Sequence, residues 1–182
     1  MTTPRLRIPA PSIVLVSASL IVAGGILGAM LGLAGIGEAT DEPGIGDPMR
    51  IFAHNAGLGV VLVAGALTLG VTTVLSLVAG SYAVGMAVGG SIRTRGWFVT
   101  NLGLVPHGVF EVAGFVALGA LGLLTLDALC SRLFPGWYRA GSAWDRLGPR
   151  GCALIAASGF GLLLLGAAVE ATVTLTLMER YR

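Results

Sequence analysis

Two stretches of this sequence contain no charged residue and are long enough to cross a lipid bilayer. Residues 13–36 lack Asp, Glu, Lys and Arg, and so do residues 51–92. About 20 consecutive apolar residues span the hydrocarbon core of a membrane, so the first stretch fits one helix and the second fits two. A third stretch, residues 151–178, has Glu170 as its only charged residue. The sequence therefore predicts an integral membrane protein.

The composition agrees with a membrane protein and excludes several other classes. Hydrophobic residues make up 55% of the chain and charged residues 11%, which is unlike a soluble domain. The basic residues are all arginines and lie between the apolar segments or at their ends, so no nucleic acid partner is expected. Cys130 and Cys152 make no disulfide framework, and we interpret them as free thiols. We expect one integral membrane domain over residues 1–182, surrounded by membrane lipid.

The apolar segments predict an all-α, polytopic membrane helix bundle with about five spans. We place these at about residues 13–34, 52–75, 77–90, 106–129 and 152–178, with a tight turn near residues 76–81. Gly24, Gly28 and Gly32 recur every four residues in the first span. Small residues at this spacing let helices approach closely. We predict that this glycine face is one contact of a homo-oligomer or a membrane-protein complex.

A break is predicted just before the fourth span. Arg93, Arg95 and Trp97 are residues typical of a membrane interface, and residues 97–105 are too few to cross the bilayer. Pro106 also disfavours helical geometry at Val105. We therefore expect a short re-entrant or interfacial segment before Pro106.

Two polar segments differ in charge and predict an orientation. Residues 36–50 are acidic, with Gly and Pro among them, and are expected to form an outer loop. Residues 131–150 are basic and aromatic and are expected to form an inner-face loop. Together with Arg5 and Arg7, they place the N-terminus inside the cell by the positive-inside trend. If both middle spans cross, Arg93 and Arg95 fall outside, against that trend.

A few polar residues interrupt the apolar segments, and they are the candidates for function. His107 and Glu111 are four residues apart and share a face of a helix. Each is costly at membrane depth and is expected to face protein or a wet cavity. We predict that His107, Glu111 and Glu170 lie within contact reach of one another. We also predict that Asn55 joins them and hydrogen-bonds the broken backbone around Pro106.

Three uses of these residues remain open from the sequence. His54, His107, Glu111 and Glu170 could bind a metal ion such as zinc, which accepts imidazole and carboxylate ligands together. His107 and a carboxylate could instead form a proton relay. The group could also be a structural or substrate-contacting network that includes Asn55, Asn101 and Pro106. No nucleophile motif or phosphate-binding loop is present, so work driven by ATP would need a partner.

One block of the sequence resembles a known family. Five parts of the sequence together resemble the stage II sporulation protein M family. They are residues 52–55, Gly80, Gly85, the block Leu104-Val105-Pro106-His107-Gly108-Val109-Phe110-Glu111 and residues 167–171. The resemblance covers about residues 13–177. It implies a shared core of five residues: Asn55, Pro106, His107, Glu111 and Glu170. It also implies a bacterial cytoplasmic membrane.

The chain departs from the family pattern at two places. His54-Asn55 stands where the family often has paired Asn, and the second proline after Glu111 is absent. In the family that the chain resembles, one branch accompanies peptidoglycan-remodelling machinery during engulfment, and another is associated with the maturation and export of circular bacteriocins. The expected function is therefore a membrane component that engages a peptide substrate or a cell-envelope partner. The alternatives are a metal-dependent intramembrane peptidase or peptide cyclase, with His107, Glu111 and Glu170 as catalytic residues, and a small proton-coupled transporter.

Overall fold

The computed structural model describes residues 13–36, 47–135, 142–174 and 176–177. Within these ranges six helices form: α1 (Ile13–Leu33), α2 (Pro48–Ala64), α3 (Val71–Arg95), α4 (Trp97–Gly122), α5 (Leu124–Leu133) and α6 (Ala143–Val169). Some predictions fall outside the described residues. These concern Arg5 and Arg7, most of the acidic segment, the middle of the basic segment and the C-terminus.

Five helical segments are long and apolar enough to cross a membrane, which confirms the all-α polytopic fold. They are Ile13–Leu33, Pro48–Thr68, Val71–Arg95, Trp97–Gly122 and Ala143–Thr174. The turn between the second and third spans lies earlier than the sequence predicted. A 3-10 turn, Gly65–Thr68, leads into Leu69 and Gly70, whose φ angles are 53° and 82°. Glycine adopts this left-handed geometry without strain, so the chain reverses here and α3 is long enough to cross.

The predicted break before Pro106 is wrong. Helix α4 runs without interruption from Trp97 to Gly122, with Pro106 inside it. Proline removes one hydrogen bond from a helix, and membrane helices tolerate this because neighbouring groups satisfy the freed carbonyl. The true boundary is Gly96, whose φ of 83° ends α3 and begins α4. Residues 97–105 are therefore the first turns of a full span.

The glycine face of α1 packs inside the chain, against α3. Gly24, Gly28 and Gly32 are buried. A side chain at Gly28 would collide with the Tyr82 carbonyl, and one at Gly85 of α3 would collide with the Gly25 carbonyl. The two helices run parallel and meet backbone to backbone, which rewards van der Waals packing. The prediction of a close helix contact is correct, but its assignment to an oligomer contact is wrong.

Helices α2, α4 and α6 form the second packed group. Leu118 of α4 and Leu163 of α6 are fully buried, and Gly59 of α2 faces both side chains. Near the end of this group, the Thr73 hydroxyl donates to the Leu62 carbonyl at 2.8 Å. Helices α2 and α4 run parallel and α6 runs antiparallel to them. One end of the bundle therefore holds the starts of α1, α3 and α6 together with α5, and we name it the α5 end.

The opposite end holds the starts of α2 and α4 and the ends of α1, α3 and α6. We name it the Trp97 end, because Trp97 and Phe98 are exposed there. Aromatic residues are enriched at the level of lipid headgroups. The Arg93 guanidinium lies beside Gly35, just after α1, at this same end.

The described parts of the basic segment 131–150 are largely helical, and not a surface loop as predicted. They belong to the end of α5 and the start of α6. Ser142 and Asp145 form a capping box at the start of α6. The buried Asp127 accepts a hydrogen bond from the Ala143 amide at 2.6 Å. Asp127 therefore satisfies an N–H group at the start of α6 that has no partner within the helix.

Candidate functional site

Three spans bring polar side chains together in the interior of the second packed group. Asn55 of α2 donates its amide to a carboxylate oxygen of Glu111 on α4, at 2.5 Å. Glu111 follows Trp97 by 14 residues, which places it about 21 Å along α4 at 1.5 Å per residue. The contact therefore lies deep within the spanning region. Asn55 joins the cluster as predicted, but its partner is Glu111 and not the backbone at Pro106.

His107 lies one turn before Glu111 and faces α6. Its side chain is 9% exposed, and its Nδ1 atom lies 3.2 Å from the Thr174 hydroxyl. Thr174 is itself 4% exposed. Either group can donate in this pair, because the imidazole tautomer decides the direction. This contact ties α4 to the last turn of the α6 span.

The α6 span changes its geometry where it meets the cluster. The α-helix ends at Val169, and residues Glu170–Thr174 form one π-helical turn. Such turns are rare and often occur at functional sites. Glu170 begins this turn and interacts electrostatically with both His107 and Glu111. Contact of Glu170 with His107 and Glu111 stays a prediction.

A glycine makes the close approach of α4 and α6 possible. Gly166 is buried, and a methyl group added there would lie 2.8 Å from Cγ of Glu111 and 3.5 Å from the His107 carbonyl oxygen. Contacts below 3 Å force the neighbour to move. The absence of a side chain at Gly166 therefore leaves the space that the Glu111 side chain occupies. We name Asn55, His107, Glu111, Glu170 and Thr174 the polar cluster.

The other predicted site residues lie elsewhere. Asn101 donates to the Trp97 carbonyl one turn back at 2.8 Å, within its own helix. His54 is exposed on α2. Pro106 lies beside His107 in α4 but contributes no donor. In the described ranges, no group of three or more His, Cys, Asp and Glu side chains could hold a metal ion.

The cluster adjoins an interhelical cavity that the sequence did not predict. A cavity of about 320 Å³ lies between the α1–α3 pair and helices α2 and α4. Its walls are almost entirely apolar, and among the described residues that line it Glu111 alone is ionisable. Because Glu111 also accepts from Asn55, it connects the cavity with the polar cluster. We name this cavity the slot.

Two members of the site were missed for different reasons. Thr174 shares a helix face with Glu170 in the sequence, but only the π-helical turn brings it to His107. The slot is formed by residues of four helices that carry no motif. Packing between distant segments creates both features, so spacing along the chain could not indicate them.

Comparison with known proteins gives one match. A family model described as Stage II sporulation protein M matches residues 13–175. The match covers all five spans and every member of the polar cluster. Searches of curated proteins and of solved structures gave no match.

Proposed function

Since the chain belongs to the stage II sporulation protein M family, we propose that it is a membrane component of a peptide-processing, peptide-export or cell-envelope remodelling system. In this proposal Glu111 is the residue through which the protein engages its substrate or partner. The polar cluster holds that side chain in place, and the slot gives a ligand access to it. The protein itself needs no catalytic step for this role.

The observation that carries the proposal is that Glu111 belongs to the polar cluster and also lines the slot. A carboxyl group at membrane depth is costly and is usually kept for function. Here it accepts from Asn55, packs on Gly166 and also lines an apolar cavity. A purely structural role in holding the helices together would not require Glu111 to face the slot. The described residues give no support to the metal-dependent peptidase.

The proposed setting is a bacterial cytoplasmic membrane with the α5 end toward the cytoplasm. Arg132, Arg146 and Arg150 lie at this end, and the sequence adds Arg5, Arg7 and Arg139 on the same side. Basic residues near spans favour the cytoplasmic side. The Trp97 end, with Asp47 and the acidic segment before it, then faces outward.

Genetic complementation tests the proposal directly. In a host that lacks the native gene, Glu111→Gln should fail to restore the envelope or peptide-export phenotype at normal protein abundance. Gln keeps the size and one acceptor of the side chain but cannot carry negative charge. Asn101→Ala is the matched control, because it removes a polar group of the same helix whose partner lies in α4 itself. Full complementation by Glu111→Gln would overturn the proposal.

Proton-coupled transport is a second candidate with its own observation. Glu170 lies close enough to His107 and Glu111 to interact with both inside the spanning region. Groups of this kind form proton relays in pumps and transporters. Proteoliposomes with an internal pH dye should then show proton uptake that Glu170→Gln abolishes. Equal proton flux in empty liposomes would exclude this candidate.

A further inference from the structure

The slot is long and narrow. Its α3 wall extends from Ser76 to Val88 and its α4 wall from Leu104 to Phe115. These spacings correspond to about 17–18 Å at 1.5 Å per residue. A volume of about 320 Å³ over that length leaves an average width well below the roughly 10–12 Å diameter of an α-helix. A slot of this volume and length fits a single extended chain.

The walls of the slot suit hydrocarbon. Leu58, Leu77, Val84 and Val112 line it, with Ser76 and Ser81 as small polar residues. Gly80 on α3 and Gly108 on α4 contribute open space, because a methyl group added at either position would meet no other helix within 4 Å. The slot lies within the spanning segments, where the surrounding molecules are lipids. An acyl chain is the extended apolar chain available at this depth.

Positive charge lies beyond one end of the slot. On α3, Arg95 follows the slot residues Val84 and Val88 at helical spacing and therefore shares their face. It is about 10 Å beyond Val88 along the axis. Arg93 lies two residues earlier, beside the end of α1. The exposed Trp97 marks this level as the headgroup region.

We propose that the slot holds one acyl chain of an anionic phospholipid whose phosphate lies at Arg95. Arginine recognises phosphate through paired N–H donors and a full positive charge. The acyl chain extends from the Trp97 end past Gly108 to Glu111. The inference rests on the proposed function, since it names a lipid as the envelope molecule that reaches Glu111.

Lipid retention tests the occupant. The full chain is reconstituted in nanodiscs of phosphatidylcholine with phosphatidylglycerol, extracted in mild detergent, washed, and its retained lipid counted by mass spectrometry. Wild type should keep one phosphatidylglycerol per chain. Gly108→Leu and Gly80→Leu, which fill the slot from opposite walls, should lose it. Gly161→Leu is the matched control, because Gly161 also faces open space but lies on α6 away from the slot.

A substitution at Arg95 tests where the lipid headgroup binds. Arg95→Gln should reduce the preference for phosphatidylglycerol over phosphatidylcholine about fivefold, the effect of one basic residue at a lipid surface. Arg50→Gln, which removes an exposed arginine from the same end of the bundle, should leave the preference unchanged. An equal effect of the two variants would overturn the assignment of the phosphate to Arg95.

Two results would overturn the lipid site as a whole. One is a wild-type protein that retains no phosphatidylglycerol after washing, a result that does not depend on any variant. The other is retention by folded Gly80→Leu and Gly108→Leu at the wild-type level. A photoreactive residue at Val112 that crosslinks to a peptide, and not to lipid, would show a different occupant. Failure of the proposed function is separate, because it is scored by complementation with Glu111→Gln.

Discussion

Glu111 takes its position from residues on three helices. Asn55 holds it from α2, Gly166 packs on it from α6, and His107 lies one turn before it on α4. The spacing of His107 and Glu111 could be interpreted from the sequence, because both lie on one predicted helix. The partner of Asn55 could not, since it depends on how α2 and α4 align. The sequence thus named Asn55, His107, Glu111 and Glu170 as members of the polar cluster, but it did not predict that Asn55 contacts Glu111.

The contact between Asn55 and Glu111 predicts an energetic coupling. A double-mutant cycle with Asn55→Ala, Glu111→Ala and the double variant should give a coupling of about 0.6–1.7 kcal/mol, the range for hydrogen bonds between membrane helices. The free energy of unfolding in mixed micelles measures it. The same cycle with Asn101→Ala in place of Asn55→Ala should give none, because Asn101 bonds within α4. Coupling in both cycles would contradict the assigned partner.

The tie between His107 and Thr174 gives a second prediction at this scale. Thr174→Val keeps the shape of the side chain but removes the hydroxyl that faces His107. The buried imidazole then loses a partner, and we expect a destabilisation of about 1–3 kcal/mol. Thr172→Val is the control, because Thr172 is exposed and donates to the Ala168 carbonyl of its own helix. Thermal unfolding of the two variants should therefore differ, and equal melting temperatures would contradict the contact.

At the scale of elements, the spans were predicted well and their ends less well. Long apolar stretches defined five crossings, because a helix satisfies its backbone hydrogen bonds within one segment in lipid. The break at Pro106 was wrong since α4 absorbs one proline without ending. The turn at Leu69 and Gly70 was missed because Leu69 gives no turn signal and Gly70 does not stand out among the 29 glycines of the chain. Helix ends therefore depend on packing as much as on local residues.

The α1–α3 contact predicts the effect of single methyl groups. Gly28→Ala should destabilise the monomer by about 1–3 kcal/mol, because the added carbon collides with the Tyr82 backbone of α3. Gly25→Ala, one turn earlier on the same helix, should be tolerated, since its added carbon would lie 3.9 Å from the Ser81 carbonyl oxygen. Unfolding in micelles compares the two variants. Equal stabilities would show that α1 does not pack on α3 through this face.

The start of α6 depends on a residue that is distant in sequence. Asp127→Ala should cost about 0.5–2 kcal/mol, the loss expected for a helix cap, and should increase hydrogen exchange at the Ala143 amide. Asp127→Asn should recover part of this loss, because its carbonyl oxygen can still accept. If exchange at Ala143 is unchanged in Asp127→Ala, the cap is not formed by Asp127.

For the whole molecule, the bundle consists of two packed groups that meet near the α5 end, where Gly119 of α4 faces Ser17 of α1 and Leu77 of α3, and the slot lies between them elsewhere. The α1–α3 pair packs backbone to backbone, and α2, α4 and α6 enclose the polar cluster. Apolar runs in the sequence predict that helices exist but not which helices pair, so the slot had no sequence signal. An oligomer stays a prediction, and its contact must use a face other than Gly24, Gly28 and Gly32.

The orientation of the bundle is the last prediction, and it follows from competing charges. Arg50, Arg93 and Arg95 at the Trp97 end balance Arg132, Arg146 and Arg150 at the α5 end. The orientation is therefore predicted from the N-terminal arginines of the sequence. We expect the Trp97 end outside. In a chain with Cys130 and Cys152 replaced by Ala, Thr94→Cys should react with an impermeant maleimide in intact cells. Leu133→Cys at the α5 end should react only after permeabilisation. The reverse labelling pattern would place the N-terminus outside, and the slot would then open toward the cytoplasmic leaflet.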